Sequence, residues 1–218
     1  MSTPTFTLSP SSLNLMGECP RCFWLDKHKV WKRPAGIFPS LPSGMDGILK
    51  NHFDKFMRRG ELPPELRSNG DTKDMLLFDD EDLLKIWRSN FKGIQFEDKD
   101  GNVLKGAVDN ILKHGKKLIV LDYKTRGFAL KEDTHEHYQH QLDIYNFLLR
   151  KNGYETEDYS LLLFYHPKEV METGEVIFNT DLKKMKINPK TGEKLFKDAL
   201  KLLNEECPSK CCEWCEGR

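Results

Sequence analysis

Two aspartates and a lysine carry the first chemical signal. Asp109 stands in "GAVDN", Asp122 ends the apolar run "LIVLD", and Lys124 follows two residues later. Carboxylates brought close together repel, and a proton or a cation between them relieves the repulsion. Hard divalent cations such as Mg²⁺ prefer oxygen ligands and retain waters. A cation so held lowers the pKa of a bound water and stabilises charge on a phosphoryl oxygen. Strand side chains alternate, so Lys124 shares a face with Asp122. An ammonium there can orient an attacking water or offset developing negative charge. The alternative is an incidental Asp–Lys pair at a strand end, which has little consequence at a surface.

The cysteines carry the second signal. Cys19 and Cys22 lie near the start, Cys207, Cys211, Cys212 and Cys215 lie near the end, and the middle has none. A disulfide framework would spread through a short secreted domain. Cys19-x-x-Cys22 and Cys212-x-x-Cys215 instead have the spacing with which thiolates chelate Zn²⁺ or an iron–sulfur cluster. Buried or free thiols are the alternative.

These residues need elements to position them. Residues 8–31 open with Ser/Pro cap chemistry and continue at helical spacing. The Pro- and Gly-rich stretch 34–44 reads as a loop. An amphipathic helix is expected over 45–60, with Ile48, Leu49, Phe53 and Phe56 inward, and another over 80–91. Turn signals at Asp100-Gly101 and His114-Gly115 predict three hairpin-linked strands over about 93–98, 102–112 and 117–124. Asp109 and Asp122 then sit on neighbouring strands of one hairpin. A long helix follows over about 135–152, with Tyr138, Leu142, Tyr145 and Leu149 recurring. A buried strand (160–167), a more exposed strand (175–182) and a last helix (192–206) complete the order. That order predicts an α/β or α+β architecture, a mixed sheet flanked by helices. It fits one domain over 1–218: a helical part (1–92), a core (93–182), and a C-terminal helix with a cysteine tail (183–218).

Bulk composition sets outer limits. Lys+Arg and Asp+Glu number 34 each, so a histone-like basic binder is excluded, although local patches are not. No apolar stretch reaches membrane-spanning length, and "MSTPTFTLSP" lacks the basic and apolar regions of a secretory signal. A cytoplasmic location is the expectation. "KHKVWKR" interleaves basic and aromatic residues, which suits single-stranded nucleic acid, with Lys29, Trp31, Lys32 and Arg33 as the candidate contacts.

"GAVD…LIVLDYKT" resembles the core of the PD-(D/E)XK nuclease superfamily, with Asp109 as the first acid and Asp122-Tyr123-Lys124 as the D-x-K element. "QLDIY" matches the Q-x-x-x-Y of RecB-type nucleases through Gln141 and Tyr145, which at i and i+4 share a helix face. "GILKNHF" places His52 where that subfamily carries a metal-binding histidine, and "LSPSSLNLMGECPRCFWL" resembles its N-terminal S-x-S-x-L…C-P-R segment. The resemblance spans residues 8 to 215. It implies a restriction-endonuclease-like fold in which His52, Asp109, Asp122 and the Tyr123 carbonyl bind Mg²⁺ or Mn²⁺. Lys124 would be the catalytic lysine, with Gln141 and Tyr145 positioning it or the DNA backbone. The implied activity is DNA hydrolysis, preferring single strands or ends, in repair, recombination or CRISPR-type adaptation with protein partners of such complexes. The alternatives are a non-catalytic nucleic-acid-binding scaffold on the same fold and a zinc-stapled interaction domain. In CRISPR-adaptation exonucleases and AddB-type relatives, one early and three late cysteines hold a 4Fe–4S cluster. Here the pattern's final cysteine is absent. Cys22 is the expected substitute, with Cys207 and Cys211 as rivals, and Zn²⁺ is the alternative occupant.

Overall fold

A computed structural model describes residues 4–36 and 40–217. The apolar run that precedes Asp122 lies in the central strand of the main sheet. That sheet has five strands: β2 (Leu76–Leu77), β5 (Asn110–His114), β6 (Lys117–Thr125), β7 (Tyr159–Val170) and β8 (Val176–Lys186), ordered β2-β5-β6-β7-β8. β6 pairs antiparallel with β5 and parallel with β7. Its residues 118–123 are buried, which is why they read as a continuous apolar run rather than an alternating one. A parallel neighbour requires a crossover. A 3₁₀ turn (Thr134–Tyr138) and helix α6 (Gln139–Lys151) supply it. α6 lies against the final helix α7 (Pro189–Leu203) at close quarters, since a Cβ on Gly192 would stand 2.9 Å from the Asp143 carbonyl oxygen.

A smaller sheet, β1-β4-β3, holds Thr7–Leu8 (β1), Ile94–Glu97 (β3) and Val103–Gly106 (β4). The expected strand over 102–112 is therefore two strands in two sheets. The chain leaves β4 at Gly106, turns through 107–109 and enters β5 at Asn110. Asp109 thus sits at the mouth of a strand rather than inside one.

The N-terminal segment also divides. Helix α1 (Pro10–Glu18) ends at Cys19, which is extended, and α2 (Pro20–Lys27) restarts at once. Pro20 accounts for the break, because the residue before a proline is pushed out of the helical region. Ser9 and Ser12 form a reciprocal capping box at the start of α1. Helix α3 (Ser40–Met57) begins inside the stretch expected to be loop. Its proline, Pro42, lies in the first turn, where a missing N–H costs little. Part of that loop expectation, 37–39, lies outside the described residues. Of the four residues expected inward, Leu49 and Phe53 are buried, Phe56 is partly buried, and Ile48 is 63% exposed; Met57 takes the inward place. Helices α4 (Pro64–Arg67) and α5 (Glu81–Trp87) complete the described elements. No described helix is long and apolar enough to cross a membrane.

Candidate functional site

The register of the β5–β6 hairpin builds the site. Asn110 pairs with Leu121, so Asp109 falls one step beyond the ladder, opposite Asp122. Asp109 Oδ2 accepts the Tyr123 backbone N–H at 2.9 Å. The Asp109 carbonyl accepts from Arg88 Nε at 2.7 Å, and Asp54 grips the same guanidinium through both its oxygens at 2.8 and 2.9 Å. Asp109 is therefore fixed through both its side chain and its backbone. Lys50, on α3, sets its Nζ 3.2 Å from Asp109 Oδ1 and 2.8 Å from Asp46 Oδ2.

Asp122 is almost fully buried, with the Lys124 ammonium against its Oδ2. Burial and then repulsion from Asp109 push the Asp122 carboxyl up to about 7, against the opposing pull of Lys124. Burial alone would lower the Lys124 ammonium, but Asp122 and Asp109 outweigh it and hold it above its ordinary value. Lys124 Nζ also donates to Gln141 Oε1 at 3.4 Å and lies 4.7 Å from the centre of the Tyr138 ring. Gln141 Nε2 in turn donates to the Tyr145 hydroxyl at 2.6 Å. Strand alternation turns the Tyr123 side chain to the other face, where its ring meets Phe53 at 4.6 Å and its hydroxyl accepts from Asn110 Nδ2 at 2.7 Å.

His52 goes elsewhere. Its Nε2 lies 3.0 Å from Glu65 Oε1, which also accepts the Tyr165 hydroxyl at 3.0 Å. His52, Asp109 and Asp122 do not close to within 4.8 Å of one another; among the described residues only the cysteines form such a group of three or more ligand atoms. The expected convergence thus brings together Asp109, Asp122, Lys124, Gln141 and Tyr145 and leaves His52 on a carboxylate of its own. Lys50, Arg88 and Glu65 went unnoticed in the sequence, for they belong to no spaced motif.

Cys19, Cys22, Cys212 and Cys215 do meet, with all four sulfurs within 4.8 Å of one another. The Cys19–Cys215, Cys22–Cys212 and Cys212–Cys215 separations are 3.8, 3.5 and 3.8 Å. Cys207 instead accepts from Arg21 Nη1 at 3.5 Å, and Cys211 is exposed. Burial pushes the Cys22 thiol up to about 12. Arg33, a candidate nucleic-acid contact, is committed here: its guanidinium reaches Glu18 Oε2 at 2.7 Å and Cys212 Sγ at 3.7 Å. Trp31 packs on the same cysteines, whereas Lys29 and Lys32 are exposed.

A model of the PD-(D/E)XK nuclease superfamily matches residues 49–218. The chain belongs to that superfamily. The matched span contains His52, Asp109, the D-x-K strand, Gln141, Tyr145 and the late cysteines, but neither Cys19 nor Cys22. Among solved structures the chain is similar to one titled "Crystal structure of SSO0001", at 16% identity and a TM-score of 0.45, covering 94% of this chain and 80% of that one. That likeness is too distant to bear on function. No curated protein matches the sequence.

Proposed function

We propose that the chain is a cation-dependent deoxyribonuclease of RecB-like type, one domain over 1–218, acting in the cytoplasm on single strands or DNA ends. The observation that carries this reading is the meeting of Asp109, Asp122 and Lys124 at one strand end in a PD-(D/E)XK chain. Two carboxylates, of which Asp109 raises the proton affinity of the buried Asp122, flanked by ammonium groups, form an oxygen donor set suited to Mg²⁺ or Mn²⁺. Asp109 and Asp122 would hold the ion with the Tyr123 carbonyl, and His52 stands as a further donor by resemblance. Such an ion supplies an activated water and stabilises charge on the phosphoryl group.

The remaining roles fall to the chain's own groups. Lys124, charged and largely buried, orients the attacking water and offsets charge on the phosphate. Gln141 holds the Lys124 ammonium, and Tyr145 holds Gln141. Exo- or endonucleolytic polarity and a place in repair, recombination or adaptation are functions for the assay to assign. Cleavage of end-labelled single- and double-stranded DNA with Mg²⁺ or Mn²⁺ tests the reading. Wild-type inactivity across both ions and all substrates would overturn it.

For the cysteines we propose a structural metal joining the two ends of the described fold. Tetrahedral Zn²⁺ with bonds of about 2.3 Å places sulfurs about 3.8 Å apart. The observed 3.5–3.8 Å supports one ion, Zn²⁺ before 4Fe–4S, since a cubane binds each thiolate at a different iron and spreads them wider.

A further inference from the structure

A cleft of about 380 Å³ opens beside Gln141 and Tyr145. Ser9 and Ser11 from the start of α1, Ser89, Asn90 and Lys92 from the loop after α5, and Lys105 from β4 form most of its wall. No aspartate or glutamate lines it, in a chain with 34 acidic residues. Two ammonium groups and three hydroxyls without a carboxylate make a wall that favours a polyanion.

Backbone forms the rest of that wall. Gly93 has φ +67, and a Cβ on it would stand 2.5 Å from the Gly106 carbonyl oxygen. A Cβ on Gly106 would stand 2.7 Å from the Tyr145 ring. Both positions exclude side chains, so the cleft floor lies against the tyrosine that Gln141 holds.

Phe91, which lies in sequence between the lining residues Asn90 and Lys92, is 85% exposed. A single exposed aromatic is ordinary on a protein surface; this one gains weight from its place between two residues of a cation-lined cleft. The Lys105 ammonium, 5.7 Å from the ring centre, donates to the Phe91 carbonyl at 3.1 Å and so steadies the loop that presents the ring. A cation-lined cleft bearing an exposed aromatic is the pairing by which proteins hold single-stranded nucleic acid: charge follows the backbone, and the ring stacks a base.

We infer that this cleft is a single-strand subsite. It holds a phosphate next to the one being cleaved, among Ser11, Lys92 and Lys105, with a base stacked on Phe91. This rests on the nuclease reading for its orientation, but its test does not require cleavage.

The test is binding of a fluorescently labelled oligothymidylate to the full chain in EDTA, followed by anisotropy. Phe91→Ala weakens binding about fivefold or more, and Phe91→Trp restores it. Lys92→Ala with Lys105→Ala lowers the dependence of log K on log salt by about 0.7 per lost phosphate contact. These side chains lie at the surface or a cleft wall, and circular dichroism checks that each variant folds. Wild-type affinity in the Phe91→Ala, Lys92→Ala, Lys105→Ala triple variant overturns the inference. So does duplex binding as tight as single-strand binding, or wild type that binds no oligonucleotide even at low salt. Wild type that binds the oligonucleotide but cleaves nothing, with affinity lost in these variants, leaves the subsite standing and rejects only the nuclease reading.

Discussion

Asp109 accepts the backbone N–H of Tyr123 at 2.9 Å, so the first acid is bonded to the very strand that carries the second. The two carboxylates are positioned by one hairpin rather than by two independent elements. Asp109→Ala, Asp122→Ala and Lys124→Ala should each abolish cleavage while the fold persists. Gel assays on labelled DNA beside circular dichroism check this; wild-type rates in all three variants reject the roles assigned to them.

Arg88 ties α5 to the Asp109 carbonyl while Asp54 grips it from α3. Arg88→Ala should loosen Asp109 and leave Asp54 without its partner. The expected cost is about 1–3 kcal/mol in urea unfolding, with kcat falling more than KM rises. An unchanged kcat would mean that Asp109 is held well enough by Tyr123 alone.

Asp122 titrates at about 7 in the folded, ion-free protein, against about 3.9 in an unfolded chain. A raised folded value means the associated stability is complete below about pH 4 and is lost as pH rises through 7. Asp122→Asn removes that loss. In EDTA, the variant should gain on wild type between pH 4 and 7 by on the order of a few kcal/mol. Unfolding curves at pH 5 and pH 8 measure the difference, and a gap that shrinks with pH contradicts the assignment.

Divalent ion bound at the two carboxylates stabilises the folded state by mass action. Mg²⁺ or Mn²⁺ at a hundred times its Kd should add about 2.7 kcal/mol, raising Tm by roughly 5–10 °C. Neither Asp109→Ala nor Asp122→Ala should show the rise. Thermal melts with and without the ion decide it; an equal rise in both variants places the ion elsewhere.

The cysteine cage should hold about one metal per chain, and Cys19→Ser or Cys215→Ser should lose it and lower Tm. Elemental analysis with an optical spectrum reads the occupant: zinc leaves the visible region empty, and an iron–sulfur cluster does not. Metal-free wild type with an unchanged melt would remove the metal from the structural account.

Much of this site was legible because its motifs are local. The i and i+4 spacing of Gln141 and Tyr145 is realised as a direct hydrogen bond, and the paired C-x-x-C steps close on each other. What escaped was set by tertiary contacts. The 102–112 stretch is apolar at both ends, and the strand-disfavoured Gly106 and Asp109-Asn110 that bracket the change of sheets are a weaker turn signal than the Asp-Gly and His-Gly pairs on either side. Glu65 captures His52 from 13 residues away, and Arg88 reaches Asp109 across 21. Composition does not say which way the side chains of 27–33 turn: Arg33 reaches Cys212, Trp31 packs on the cysteine-containing cluster, and Lys29 and Lys32 stay exposed.

Cys19 and Cys215 touch although they are 196 positions apart in the chain. A polypeptide fastened this way behaves mechanically almost as a ring: tension applied at its ends draws on β1 and α1 and then on the thiolates before it reaches any strand of the five-stranded sheet. Force spectroscopy should record one early rupture that vanishes once the metal is stripped, after which the sheet takes the strain directly. Cellular metal supply, rather than sheet stability, would then set how readily an unfolding machine could begin to thread the molecule.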